Sequence, residues 1–94
     1  MPVLTEKEIR QSLSGLPGWS YSHNSIERQF EFLDFAAAMK FVNGVAEAAE
    51  EANHHPDIEI RYNKVKMSLT SHDSGGVTAR DLRLAKRISE LAAG

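Results

Sequence analysis

Apolar and polar positions along this 94-residue chain fall into seven periodic segments. In TEKEIRQSLSGLPGW, Ile9, Leu13 and Leu16 recur at helical spacing behind Thr5, and Glu8 stands three residues on, as in a capping box. Gly15, Pro17 and Gly18 end that helix. WSYSHNSIERQFEF alternates on both sides of His23-Asn24-Ser25 and predicts a hairpin. Trp19 and Tyr21 line its first strand; Ile26, Arg28, Phe30 and Phe32 line the second, with Arg28 the charged exception. Asp34 is placed to cap a long helix, FAAAMKFVNGVAEAAEEAN. Phe35, Met39, Val42 and Ala46 form one stripe on it, and Phe41, Val45 and Ala49 a second. So wide an apolar arc predicts burial on more than one side. DIEIRYNKVKMSLT alternates most clearly. A two-residue turn at Asn63-Lys64 predicts Tyr62 opposite Val65, Ile60 opposite Met67 and Ile58 opposite Leu69. After the loop SHDSGG, Thr78 and Asp81 form a second capping box. Leu84, Ile88 and Leu91, with Ala85 and Ala92, give the last helix its core face.

The order is therefore α-β-β-α-β-β-α, an α+β fold in a single domain over residues 1–94. Two hairpins make one four-stranded antiparallel sheet, with three helices packed on one face. Composition adds exclusions. A formal net charge of −2 gives no electrostatic basis for binding nucleic acid. The absence of cysteine removes disulfides, thiol catalysis and cysteine-ligated zinc. No run approaches the roughly 18 apolar residues that a membrane-spanning helix requires, and MPVLTEKEIR lacks the apolar core of a signal peptide. A cytoplasmic protein that binds no membrane is expected.

Two of the four histidines stand together in NHHP, at the break after the long helix. Extending the predicted hairpin ladder beyond its strands sets Asp57 opposite Thr70 and His55 opposite His72. His54, His55 and His72 then gather at the open end of the hairpin, close to the last helix start with Asp73 and Asp81. Imidazoles so placed suit acid–base chemistry on a small polar molecule. Two other readings stand beside this one. Histidine favours helix C-termini and proline commonly follows them, so NHHP also reads as structural punctuation. Three histidines can also hold a divalent ion. However, adjacent side chains diverge by about 100° on a helix and by about 180° on a strand, and there is no HExxH pattern. The cap alone accounts for Asp81. Glu50 is an acid at a helix C-terminus, against the dipole, where it can orient a histidine. Gly75 and Gly76 read as turn residues, and Arg80, Arg83, Lys86 and Arg87 as a solvated face.

NHHPDIEIRYNKVKMSLTSHDSGGVTARDLRLA closely resembles the signature region of the pterin-4a-carbinolamine dehydratases. Gly18-Trp19 and the FxFxDFxxAxxF run from Phe30 to Phe41 are similar as well, so the resemblance spans nearly the whole chain. It implies the same element order, and a lyase that dehydrates 4a-hydroxytetrahydropterin to quinonoid dihydropterin. That reaction recycles the tetrahydrobiopterin cofactor of aromatic amino acid hydroxylases. It needs no cofactor or metal, since the pterin is the substrate. The resemblance further implies His54, His55 and His72 as active-site histidines, and pterin contacts from Asn53 to His55 and from Thr70 through Ser71 and His72 to Asp73. It gives Glu50 and Asp81 supporting places. Two positions depart from the pattern: Asn53 stands where some members have Asp, and Ser71 where Thr is common. The family forms homodimers or homotetramers through sheet edges and helices. It includes dimerisation partners of a transcription factor and non-catalytic assembly modules, the alternative to an enzyme.

Overall fold

In the computed structural model, which describes residues 2–94, the seven segments fold in the expected order. They are α1 (Glu6–Leu13), β1 (Ser20–Ser22), β2 (Ser25–Glu31), α2 (Phe35–Ala52), β3 (Asp57–Arg61), β4 (Lys64–Leu69) and α3 (Ala79–Ala93). The strands form one antiparallel sheet in the order β1-β2-β4-β3. Period-two alternation sorts the two inner strands by face. Ile26, Phe30, Val65, Met67 and Leu69 are buried and meet Ile9, Ala38, Phe41, Val45, Leu84, Ala85 and Ile88 of the helices. Glu27 and Lys66 lie on the opposite face as an ion pair. Phe30 packs against Trp19, Phe32 and Phe41, with ring centroids 5.0–6.5 Å apart. Arg28 fits among these apolar residues because its guanidinium lies 4.4 Å from the Phe30 ring centroid and donates to Ser89 Oγ.

Thr5 and Glu8 close the capping box of α1, and the Asp34 carboxylate accepts from the Ala37 N–H at the start of α2. The first hairpin turns at His23-Asn24, both with positive φ, so that Ser22 pairs with Ser25.

The second hairpin differs from expectation. Its turn is Tyr62-Asn63, and Arg61 pairs with Lys64, Ile60 with Val65 and Ile58 with Met67. The predicted Tyr62–Val65, Ile60–Met67 and Ile58–Leu69 pairs are not formed. The cause lies outside the hairpin. Asn63 Nδ2 donates to the Phe32 carbonyl, and the Phe32 N–H donates to the Asn63 carbonyl. Asn63 is thereby tied to the end of β2, and the left-handed conformation falls on Tyr62, at φ 53°. A two-residue shift preserves side-chain parity, so Ile58 and Ile60 stay on the helix face.

Burial of α2 also differs. Ala38, Phe41, Val45 and Ala49 are buried, whereas Phe35 and Ala46 are exposed and Met39 and Val42 half-buried. Within a single chain, the buried face of α2 packs against α3 and β4 and, through Phe41, against Phe30 of β2.

Candidate active site

The end of α2 decides where the paired histidines go. Asn53 adopts the left-handed conformation, φ 50° and ψ 42°, which Asn tolerates better than most residues. The His54 N–H then donates back to the Ala49 carbonyl. This reversal separates neighbours: His54 is buried and His55 is exposed. Each imidazole meets a different carboxylate. His54 Nε2 lies 2.5 Å from Asp81 Oδ1, within the protein. His55 Nε2 is hydrogen-bonded to Glu50 Oε2 at the surface. Carboxylates accept, so both rings carry a proton on Nε2, and in the neutral imidazole Nδ1 remains an acceptor.

Asp81 is fully buried and is held by more than His54. Its Oδ2 accepts from the Thr78 N–H at 2.8 Å and from Ser71 Oγ at 2.9 Å. Ser71 Oγ also lies 2.8 Å from Thr78 Oγ1. The carboxylate therefore starts α3, fixes the strand end before His72 and orients His54. The sequence departure at Ser71 retains the hydroxyl that this network uses.

The His55–His72 opposition drawn from the hairpin ladder is not present. Continued past the strands, the observed register sets His54 level with Ser71 and His55 level with Thr70. All three histidines still stand at the open end of the β3–β4 hairpin, but Asp81, rather than strand pairing, links the two sides. His72 is exposed in a tight loop in which the Ser71 N–H donates to the Gly76 carbonyl. Asp73 accepts from Arg80 Nη2 at 2.7 Å. Partial desolvation would raise the Asp73 pKa, but the charge and hydrogen bond of Arg80 outweigh it and hold the carboxyl below its usual value.

The sequence places Asn24 only in the turn of the first hairpin, yet it anchors this loop. Its Nδ2 donates to the Gly75 carbonyl at 2.8 Å, and its own carbonyl accepts from Thr70 Oγ1 at 2.9 Å. Gly76 is closely approached: a Cβ there would lie 2.9 Å from both Asn24 Oδ1 and Val3 Cγ1, so one of these side chains would have to shift. No periodicity marks such a tie, because Asn24 and Gly75 are 51 residues apart.

A cavity of about 390 Å³ opens between α2 and α3 beside His54. Ala48, Glu51 and Ala52 line one wall, and Arg80, Arg83, Leu84 and Arg87 the other. Among the described residues, no three His, Cys, Asp or Glu side chains are grouped to hold a metal ion, and no helix is long and apolar enough to cross a membrane.

The same combination of sequence and fold occurs in known proteins. A family model described as pterin 4 alpha carbinolamine dehydratase matches residues 2–91. A relative from Koribacter versatilis, provisionally named pterin-4-alpha-carbinolamine dehydratase, is 56% identical over 89 residues, which cover 95% of each chain. One from Sulfurisphaera tokodaii with the same provisional name is 53% identical over 91 residues, covering 97% of this chain and 98% of its own. The crystal structure of a transcriptional coactivator/pterin dehydratase from Brucella melitensis superposes with a TM-score of 0.93 at 36% identity, covering 96% of this chain and 98% of that one. A pterin dehydratase-like protein identified as a RuBisCO assembly factor in the alpha-carboxysome shares the fold alone, with a TM-score of 0.71 at 21% identity over 82% of this chain and 92% of that one.

Proposed function

Because this chain belongs to the pterin 4 alpha carbinolamine dehydratase family, we propose that it removes water from a 4a-hydroxytetrahydropterin to give the quinonoid dihydropterin. The observation that carries this reading is the buried His54–Asp81 pair, whose carboxylate is held from behind by Ser71 and Thr78. An imidazole fixed in one tautomer presents a defined nitrogen to substrate, as proton transfer requires. In the reaction the C4a–oxygen bond breaks, one proton goes to the departing hydroxyl and one leaves a ring nitrogen. His54 and His72 exchange these two protons, and His55, held by Glu50, orients the pterin. Asn53, Thr70, Ser71 and Asp73 supply the surrounding contacts. The chemistry runs without metal or cofactor and supplies the quinonoid dihydropterin that a separate reductase must reduce to return tetrahydrobiopterin to an aromatic amino acid hydroxylase in the cytoplasm. The protein works as a homo-oligomer; the exposed Ile58 and Ile60 on the edge strand β3 support this.

The test is steady-state turnover of 4a-hydroxypterin generated in situ, with chelator-treated protein. Acceleration that survives chelation is expected. His72→Ala should lower kcat/KM by about 10²–10⁴, the range for a positioned acid or base, and His55→Ala, which removes an orienting group, by less, both with an unchanged circular dichroism spectrum. No acceleration by the wild type would leave a non-catalytic assembly module as the reading, and activity abolished by chelation would point to a metal enzyme.

A further inference from the structure

The cavity beside His54 has a chemical character that dehydration itself does not use. Arg80, Arg83 and Arg87 follow one another at i, i+3 and i+7, so they share one face of α3, and all three line the cavity. Glu51 is the only carboxylate in that lining. Arg80 is engaged by Asp73 through Nη2, but its Nε is buried with no hydrogen-bond partner, alone in this among the side-chain polar atoms of the described residues. A guanidinium N–H withdrawn from water calls for an oxygen acceptor. Ala48, Ala52 and Leu84 provide apolar wall between the charges. The volume of about 390 Å³ lies within the ~300–1,000 Å³ range of small-molecule sites.

From this lining we infer that the groove is an anion subsite, and that the preferred substrate is a pterin whose side chain carries a phosphate or carboxylate. The inference rests on the dehydratase reading, because His54 both belongs to the proposed catalytic centre and lines the groove. A pterin ring held at His54 has room for its substituent only where the chain leaves space, and here that space runs along α3. The terminal anion then meets the arginine face. Arginine suits this role because its planar fork pairs with two oxygens of a phosphate or carboxylate at once.

Calorimetry on the whole protein tests this with three probes: a dihydropterin with a neutral hydroxylated side chain, the same dihydropterin phosphorylated on that side chain, and inorganic phosphate. The phosphorylated pterin should bind about tenfold or more tightly than the neutral one, as expected for at least one charge-assisted hydrogen bond. Arg87→Gln and Arg83→Gln should each cut that ratio several-fold, and added salt should reduce it further. Equal affinity for the two pterins, or a preference unchanged in both variants, overturns the inference. So does inorganic phosphate binding as tightly as the phosphorylated pterin, since the site would then owe nothing to a pterin. Turnover of the two 4a-hydroxy compounds is the separate readout. Binding preference without turnover of either supports the subsite and sinks the dehydratase reading; turnover of both with equal affinity does the reverse.

Discussion

Asp81 has three donors and two oxygens, and that count determines what its replacement should do. The Thr78 N–H and Ser71 hydroxyl occupy Oδ2, and His54 occupies Oδ1. Asparagine keeps one oxygen and introduces an amide N–H. If the oxygen stays with Thr78 and Ser71, the amide faces His54 and forces the opposite tautomer. Asp81→Asn should therefore lower kcat by about 10²-fold, like other misdirected acids and bases, and cost about 1–3 kcal/mol of stability for the mismatched buried donor. Paired kcat and melting measurements check this; a lower Tm with unchanged kcat would reduce Asp81 to a helix cap. The spacing of Thr78 and Asp81 made the cap legible in the sequence. The contact with His54 was not legible, because 27 residues separate the pair and no local pattern reports it. For His54 and His55 the sequence showed that neighbouring side chains diverge but not which of the two is buried, which depends on the left-handed turn at Asn53.

Elements were legible where local periodicity and burial agree, as in the alternation of β4 and the capped starts of α1 and α2. The β3–β4 register was not, because the tie between Asn63 and Phe32 overrides turn preference. Gly44 within α2 tests the packing between helices. A Cβ there would meet Leu91 Cδ2 at 3.7 Å, an ordinary contact. Gly44→Ala should thus stabilise the protein by up to about 1 kcal/mol through helix propensity, seen as a Tm higher by several degrees. A lower Tm would show that the crossing of α2 and α3 has no room for a methyl group. Where the His72 loop meets α3, Asp73 and Arg80 supply a pH dependence. The folded-state pKa of Asp73 is lowered, because Arg80 outweighs the desolvation that would raise it. Its contribution is therefore complete above the unfolded carboxyl pKa and is lost as pH falls through the lower folded value. Asp73→Asn should flatten the acid limb of Tm against pH and leave neutral values nearly unchanged, as expected for an exposed pair.

At the scale of the whole molecule, the sheet is asymmetric. β1 is short and closes one edge, whereas β3 presents five exposed residues, among them Ile58 at 37% and Ile60 at 38% exposure, on the helix side. Natural edge strands are usually blunted against pairing. Ile60→Lys should shift the proposed oligomer toward monomer in sedimentation; an unchanged mass would place the contact elsewhere, with the outer stripe of α2 the next surface to test. The buried carboxylate has a different consequence at this scale. Helix ends fray, and the first turn of a helix opens far more often than its middle. Here that turn also aims the imidazole. Under the proposed mechanism, each opening of the first turn of α3 takes Asp81 from His54 and interrupts proton transfer, so turnover would be weighted by the fraction of time the turn stays closed. A pterin that binds to the aimed imidazole favours the closed turn. If the proposed site is right, bound pterin should slow amide exchange across the start of α3, so that the substrate helps to fasten the helix that positions the proposed catalyst.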